Sequence, residues 1–414
     1  MNTILSTSEK LYAAHDTYKV KAIKIRRFKQ KDIYEILKTL PFEKMVIGQS
    51  FEGRDIIQLK LGEGPINVLL WSQMHGNEAT ATMALLDMFN FFNTAKDGFE
   101  ELKKQILSNC TLYFIPMLNP DGAERFIRRT AQGIDMNRDA LALQCPESQI
   151  LKNQVMNLNP VFSFNLHDQG IRYNTENSGT QATVSFLATA YNEAREWNEN
   201  RIRSRQVISL MQAVLKPYLP NGIGRYSDDF EPRAFGDNIQ KWGSSLILLE
   251  SGGYPDDPEK QYIRKLNFVA ILAALEGIAS KNYTAYTLAD YESIPKNDKA
   301  LFDLKIENAK IKRDGKTYTV ALGINLEEKN NATATRFTHT SVIEDMGDLS
   351  VFYGIKTLDA AGAELQTIAE HPDLIKKHAI KKLDLVNISE GNRASFVMVQ
   401  KNTRTLILNG KILV

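Results

Sequence analysis

The chain has 414 residues and a net charge of +2, with 43% apolar and 24% charged side chains, an ordinary balance for a soluble globular enzyme. That length suits a large catalytic domain with a smaller companion, and so small a net charge gives no reason to expect a nucleic-acid or anionic-membrane partner. Two cysteines, Cys110 and Cys145, read as reduced thiols, with one bridge left open. The first ten residues lack the regions of a signal peptide and no apolar run nears membrane-spanning length, so the expected location is cytoplasmic, or secreted if a leader has been lost.

Residues 1–42 form a mixed, polar extension expected to pack on the catalytic domain, and its basic clusters at 19–24 and 26–31 read as solvated surface. Two strands follow at 45–50 and 54–61, joined by the turn residues Glu52-Gly53. The apolar run Val68-Leu69-Leu70-Trp71 reads as a strand ending at Gln73, followed by a helix over 79–92 and a strand over 112–118. A loop-rich stretch at 119–146, a strand at 161–166, a long helical region around 182–219, a strand at 246–249 and a helix at 263–281 complete the pattern. Strands alternating with helices over 43–285 predict an α/β domain with a mixed, mostly parallel central sheet flanked by helices. Beyond it, short alternating strands with hairpin turns near Asp314-Gly315 and Asn409-Gly410 make 286–414 a mainly-β module of unassigned role.

The chemistry-bearing residues gather where three strands end. His75-Gly76-Asn77-Glu78 follows the first of these strands, His167 ends Phe164-Asn165-Leu166-His167, and Glu250 ends Leu246-Ile247-Leu248-Leu249-Glu250. In open α/β sheets ligands collect at the carboxyl ends of strands. Imidazole nitrogens and a carboxylate suit zinc, which in catalytic sites takes three protein ligands and keeps one position open. A zinc ion held by His75, Glu78 and His167 would polarise a carbonyl and acidify water to a pKa of about 7. Glu250 would then take the water's proton as general base and return it as general acid. Asp168 is either a carboxylate supporting this set or solvent-exposed, and His15, His339, His371 and His378 fall at surface or satisfied polar positions. Between these strands lie the turn Asn119-Pro120-Asp121-Gly122, the pair Arg128-Arg129, and Ile134-Asp135-Met136-Asn137-Arg138. One guanidinium near a metal stabilises an oxyanion, and a second can fork a substrate carboxylate.

In this order, HxxE at His75 and Glu78, then Asn119-Pro120-Asp121-Gly122, then Asn137-Arg138, His167 and Glu250, the sequence resembles the zinc carboxypeptidases of the funnelin type over roughly 43–281. The resemblance implies a mixed eight-stranded sheet, one zinc ion per chain on His75, Glu78 and His167, and Glu250 as general base. It implies Arg128 as the oxyanion arginine and Asn137 with Arg138 as the clamp for a substrate's C-terminal carboxylate. Two departures stand out: Asn77 replaces the arginine that pancreatic-type enzymes carry inside HxxE, and the mobile covering tyrosine has only Tyr226 as a candidate. The segment from Phe235 to Trp242 is expected to shape the side-chain pocket, of unassigned character, and no inhibitory prosegment is evident.

The leading expectation is a metallocarboxypeptidase acting on peptides. The same site would also serve a deacylase of N-acyl amino acids, of the aspartoacylase or desuccinylase kind, or a murein-peptide amidase. In each case the substrate is a peptide or small acylated amino acid with a free carboxylate. A different class, an inactive relative that only binds, sits poorly with a complete set of ligands and base. Nothing in the sequence assigns an oligomeric state.

Overall fold

Runs of apolar residues without alternation belong to strands covered on both faces, and Val68–Ser72 and Phe162–His167 are buried throughout. The structure, a computed structural model, describes residues 2–413. It divides into two units. The first takes the chain up to Ile171 and again from Ala182 to Asn297; the second takes Arg172–Gln181 and the chain from Asp298 onward.

The first unit runs α1 (Asn2–Tyr18), α2 (Gln30–Thr39), β1 (Glu43–Gln49), β2 (Asp55–Leu61), β3 (Ile66–Ser72), α3 (Thr80–Asn93), α4 (Glu100–Asn109) and β4 (Cys110–Ile115). It continues through α5 (Pro120–Arg125), α6 (Pro146–Leu158), β5 (Phe162–Asp168), β6 (Val184–Leu187), α7 (Glu199–Leu215) and β7 (Ile223–Arg225). It closes with α8 (Phe235–Lys241), β8 (Ser245–Ser251), α9 (Gln261–Ser280) and α10 (Leu288–Glu292). The eight strands lie in the order β1-β2-β4-β3-β5-β8-β6-β7. The middle four, β4, β3, β5 and β8, are mutually parallel, so their carboxyl ends share one edge. The chain leaves β3 for β4 on one side and returns to β5 on the other, which opens a crevice above those ends. This is the mixed sheet that the sequence leads one to expect.

Helix α9 is apolar nearly all round, with Ile263, Leu266 and Phe268 through Ala279 buried. Such a helix needs cover on every side. The helices α3 and α7 supply it laterally and α1 lies over it. A buried ion network fastens α1: His15 Nε2 meets Asp87 Oδ2 at 2.9 Å, the Arg264 guanidinium donates Nε to the same carboxylate at 2.6 Å, and the Val20 amide donates to Asp87 Oδ1 at 2.8 Å.

Three readings change. The basic segment after α1 is not uniformly solvated: Lys21, Lys24 and Lys31 are exposed, but Arg26, Arg27 and Lys29 are buried. Their charges find partners: Arg27 lies 4.1 Å over the Phe126 ring, Arg26 Nε pairs with Glu259 Oε2 at 3.8 Å, and Lys29 Nζ donates to the Glu124 carbonyl. The stretch expected to be helical from 182 begins instead with β6, whose Val184-Ser185-Phe186-Leu187 is fully buried beside β8; α7 starts only at Glu199, capped by the Asn198 side chain. The β module starts at Asp298, because the Tyr291 hydroxyl accepts from the Ala188 amide at 3.0 Å and keeps α10 in the first unit.

In the second unit the long strands β9 (Leu301–Arg313) and β10 (Lys316–Asn330) form an antiparallel hairpin, continued by β11 (Phe337–Gly347). β12 (Tyr353–Asp359) and β13 (Glu364–Gln366) pair with β9 in parallel, and β14 (Phe396–Gln400), β15 (Thr403–Leu408) and β16 (Lys411–Leu413) extend the sheet. Asp314-Gly315 and Asn409-Gly410 turn with positive φ at both residues, as two-residue hairpins require. Ile306, Leu322, Ile324, Ile343, Phe396 and Ile407 form its core.

The Asp87 network generates a test. Removing a carboxylate that holds a buried guanidinium leaves an uncompensated charge, so Asp87→Ala should destabilise the chain by about 3–5 kcal/mol in urea denaturation. A loss under about 1 kcal/mol would show that water compensates Arg264 and that the network does not anchor α1.

Candidate metal centre

The turn after β3 is built before any ligand is placed. Gln73 sits at φ +47°, a left-handed conformation uncommon for a residue with a side chain. Its amide holds it there, donating Nε2 to the Gly76 carbonyl at 2.9 Å and accepting from Thr82 Oγ1 at 2.8 Å. Gly76 packs directly on the start of α5: a Cβ there would stand 2.0 Å from the Gly122 carbonyl carbon. Asn119 stitches the two turns together, accepting from the Gly122 amide at 2.9 Å and donating Nδ2 to the Met74 carbonyl at 3.2 Å. Pro120 opens α5, where its missing N–H costs nothing.

These turns aim His75 and Glu78 at the end of β5. His75 Nδ1 lies 2.8 Å from Glu78 Oε1, His167 Nδ1 lies 2.6 Å from Glu78 Oε2, and the two Nδ1 atoms are 3.1 Å apart. All three side chains are nearly fully buried. Among the described residues they are the one group of His, Cys, Asp and Glu side chains gathered tightly enough to hold a metal ion. Zinc bonds of about 2.0–2.1 Å in a tetrahedron set ligand atoms about 3.3 Å apart, so the donors stand slightly contracted around that centre. His75 Nε2 meets Asp135 Oδ1 at 3.0 Å, which fixes the proton on Nε2 and turns the Nδ1 lone pair toward Glu78. Lone pairs and carboxylate oxygens this close demand a cation, and the donor set therefore fits one.

Protonation answers the same demand. Burial opposes the charge on Glu78, but the two imidazoles outweigh it and hold its carboxyl well below the usual range. Burial also disfavours a charged His75, yet Glu78 and Asp135 raise its pKa overall. Asp135 is likewise desolvated, and the His75 bond and the Arg128 charge carry its pKa downward.

Glu250 stands directly opposite His167 in the parallel register of β5 and β8, so both side chains leave the same face of the sheet. Among the described residues its carboxylate forms no hydrogen bond or ion pair. Burial pushes its pKa up to about 8, His167 pulls against this, and Glu78 and Asp168 add to it. Arg128 reaches the cluster as well, donating Nη1 to Glu78 Oε1 at 3.1 Å and Nε to Asp135 Oδ2 at 3.0 Å, with its side chain 44% exposed.

The other candidates have different company. Asn137 Oδ1 accepts from the Phe235 amide at 2.9 Å, at the start of α8. Arg138 is partly exposed and pairs through Nε with Glu231 Oε2 at 3.3 Å. Tyr226 follows β7 and donates its amide to the Phe186 carbonyl at 3.0 Å. Asp168 has a largely buried carboxylate that accepts from Thr80 Oγ1 at 2.7 Å and Lys260 Nζ at 3.2 Å, so the solvent-exposed alternative falls. Asp135 is the functional neighbour that sequence reasoning passed over. Its signal was its place inside Ile134-Asp135-Met136-Asn137-Arg138, a loop already singled out for its other members. Cys110 and Cys145 are free and buried.

Residues 40–212, all but ten of them in the first unit, match the family model for zinc carboxypeptidases. A Caenorhabditis elegans protein named Carboxypeptidase E is 30% identical over 115 residues, covering 22% of this chain and 24% of that protein. The chain thus spans about a quarter of the length of this curated relative. A metallo-carboxypeptidase from Burkholderia cenocepacia has the same fold, with a TM-score of 0.50 and 18% identity over 62% of this chain and 70% of the other.

Because a Cβ on Gly76 would meet backbone rather than a movable side chain, Gly76→Ala must push the two turns apart. Overpacking of this kind costs roughly 1–3 kcal/mol. The variant should lose that much in thermal or urea unfolding and bind metal more weakly than the parent. An unchanged affinity would mean that the two turns are not coupled.

Proposed function

We propose that the first unit is a zinc-dependent metallocarboxypeptidase, one zinc per chain, hydrolysing the C-terminal peptide bond of peptides. The observation that carries this reading is the convergence of His75, His167 and Glu78, with the nitrogen and oxygen atoms of neighbouring ligands 2.6–3.1 Å apart, and Glu250 beside His167 on the next strand. His75, Glu78 and His167 would hold the ion. Bound zinc supplies positive charge that polarises the scissile carbonyl, acidifies water and favours Glu250 as the carboxylate.

The remaining work falls to the chain's own residues. Glu250 takes a proton from the attacking water and passes it to the leaving amine. Its lack of a competing partner suits that role, since a base tied up in an ion pair must first break it. Arg128, already at the edge of the cluster, offers its guanidinium to the oxyanion of the tetrahedral intermediate. Arg138 forks the terminal carboxylate of the substrate, with Asn137 Nδ2 as a second donor because its Oδ1 serves the Phe235 amide. Glu231 occupies Arg138 beforehand, so an incoming carboxylate exchanges with it. Tyr226 is the proposed cover. No helix among the described residues is long and apolar enough to cross a membrane.

Metal analysis should find about one zinc per chain, lost on His75→Ala or His167→Ala. Glu250→Gln should keep the zinc and lower kcat by roughly 10²- to 10⁴-fold. A glutamine variant that retains activity would remove Glu250 from the reaction, and a parent chain that holds no zinc would end the reading. Incubation of the zinc-loaded chain with a mixed peptide library should give single-residue C-terminal ladders by mass spectrometry; release of acyl groups instead would favour a deacylase.

The clamp has its own test. Loss of a charge-assisted contact worth about 1.5–3 kcal/mol should lower kcat/KM of Arg138→Ala roughly 10- to 100-fold on peptides with a free C-terminus. C-terminally amidated peptides should barely respond, whereas Glu231→Gln should lower KM for free carboxylates. Equal losses on both peptide classes would remove Arg138 from the clamp.

A further inference from the structure

One buried lysine ties together the two strand ends that carry His167 and Glu250. Lys260 stands at the start of α9, 4% exposed, with its backbone at φ +51°. Its Nζ donates to the Ser251 carbonyl at 2.7 Å, one residue past Glu250, and to Asp168 Oδ2 at 3.2 Å, one residue past His167. Thr80 Oγ1 donates to the same Asp168 oxygen at 2.7 Å from the first turn of α3. The amide of Asp168 donates to Glu78 Oε2 at 3.1 Å, the oxygen that also faces His167 Nδ1. Four elements, α3, β5, β8 and α9, therefore meet at one ammonium–carboxylate pair lying directly behind the cluster.

A pair this deep is a poor source of stability, because both ions have given up their water. Apolar side chains would cover two strand ends at lower cost. What the pair supplies is position: two donors, Thr80 Oγ1 and Lys260 Nζ, hold Asp168 by one carboxylate oxygen, and the Asp168 amide passes that constraint to Glu78. We propose that Lys260 is a positioning residue, orienting the Glu78 carboxylate through Asp168 and setting the distance between Glu250 and the metal ligands through the Ser251 carbonyl. This inference rests on the zinc-dependent reading above. Lys260, Ser251 and Glu250 lie beyond the segment matched by the family model, which ends at residue 212, whereas Glu78, Thr80 and Asp168 lie within it.

The test uses the full chain and four variants: Lys260→Met, Asp168→Asn, Thr80→Val and the double variant Lys260→Met/Asp168→Asn. Zinc affinity is measured by chelator competition, and kcat and KM at saturating zinc. Partners behind metal ligands typically govern about 10- to 100-fold in affinity, so Lys260→Met should bind zinc that much more weakly. With zinc saturating, its kcat should fall about tenfold or more while KM stays within roughly twofold, the mark of a displaced base rather than lost substrate contacts. Thr80→Val keeps the ammonium and should show smaller losses of both quantities. The double variant should be no worse than Lys260→Met alone, since the two side chains act as one unit.

Wild-type zinc affinity and kcat in Lys260→Met would overturn the proposal, as would a double variant whose losses multiply. If Lys260→Met does not fold, Thr80→Val decides, and parental affinity and kcat there overturn the proposal equally. A parent chain that binds zinc and cleaves peptides beside unaffected variants sinks this inference alone. A parent chain without zinc affinity sinks the functional reading and this inference with it.

Discussion

Glu78 held between two imidazoles is the constraint from which the rest of the site follows. Its two oxygens face two ring nitrogens within 2.8 Å, in a pocket almost closed to water. Such an arrangement is tolerable only if positive charge sits among the donors, as protons or as a metal ion. The raised pKa of His75 and the depressed pKa of Glu78 are the proton-bound expression of that demand. A metal ion satisfies it with a single centre and displaces the protons, so metal binding and proton release become one equilibrium. The surroundings prevent the donors from relaxing apart. Gln73 in its left-handed turn, Gly76 against Gly122 and the Asp168 amide on Glu78 each fix the backbone from a different side.

The sheet explains why these donors meet at all. Four parallel strands bring their carboxyl ends to one edge, and the passage from β4 back to β5 opens the crevice above them. Register then does the fine placement. Pairing of His167 with Glu250 and of Asp168 with Ser251 puts an imidazole of the cluster opposite the Glu250 carboxylate on one face and the Asp168 carboxylate beside a lysine-bound carbonyl on the next step. A slip of one residue in β8 would turn Glu250 to the opposite face. The buried α9 meets this edge at Ser251, where Asn267 donates Nδ2 to the hydroxyl at 2.8 Å and Lys260 donates Nζ to the carbonyl at 2.7 Å.

Much of this is legible in the amino-acid sequence, and the reason is physical. Doubly buried strands need long apolar runs, so a histidine or glutamate ending such a run is conspicuous, as His167 and Glu250 are. Long, uniformly apolar α9 is visible for the same cause. What stays hidden depends on partners distant in the chain. Arg26 and Arg27 look like solvated charges until Phe126 and Glu259 come beside them. The strand β6 is four residues long in a stretch otherwise rich in helix formers, and its identity comes from β8 rather than from its own pattern. Asp168 carries no local signal that separates an exposed acid from one clasped by Thr80 and Lys260. Lys260 itself, 92 residues from the Asp168 carboxylate that accepts from it, reads as an ordinary surface lysine until the fold closes.

The proposed substrate side of the crevice follows the same logic as the proposed metal side, with its charges already paired. Arg138 is engaged by Glu231, Asn137 by the Phe235 amide, and Asp237 accepts from the Glu231 amide at 3.2 Å. Burial pushes the Asp237 pKa up to about 7, with its two backbone contacts opposing that rise. On the proposed reading, binding a carboxylate here would be an exchange: a fork to Arg138 gained while the Glu231 pair is given up. Both partners of that pair are partly exposed, so its loss costs little, whereas a substrate that covered Arg138 would make its own pair in a drier setting. Under that proposal, selectivity for a free C-terminus would arise from the difference in solvent exposure between the two pairs, with the Glu231 carboxylate keeping the guanidinium oriented until a substrate replaces it.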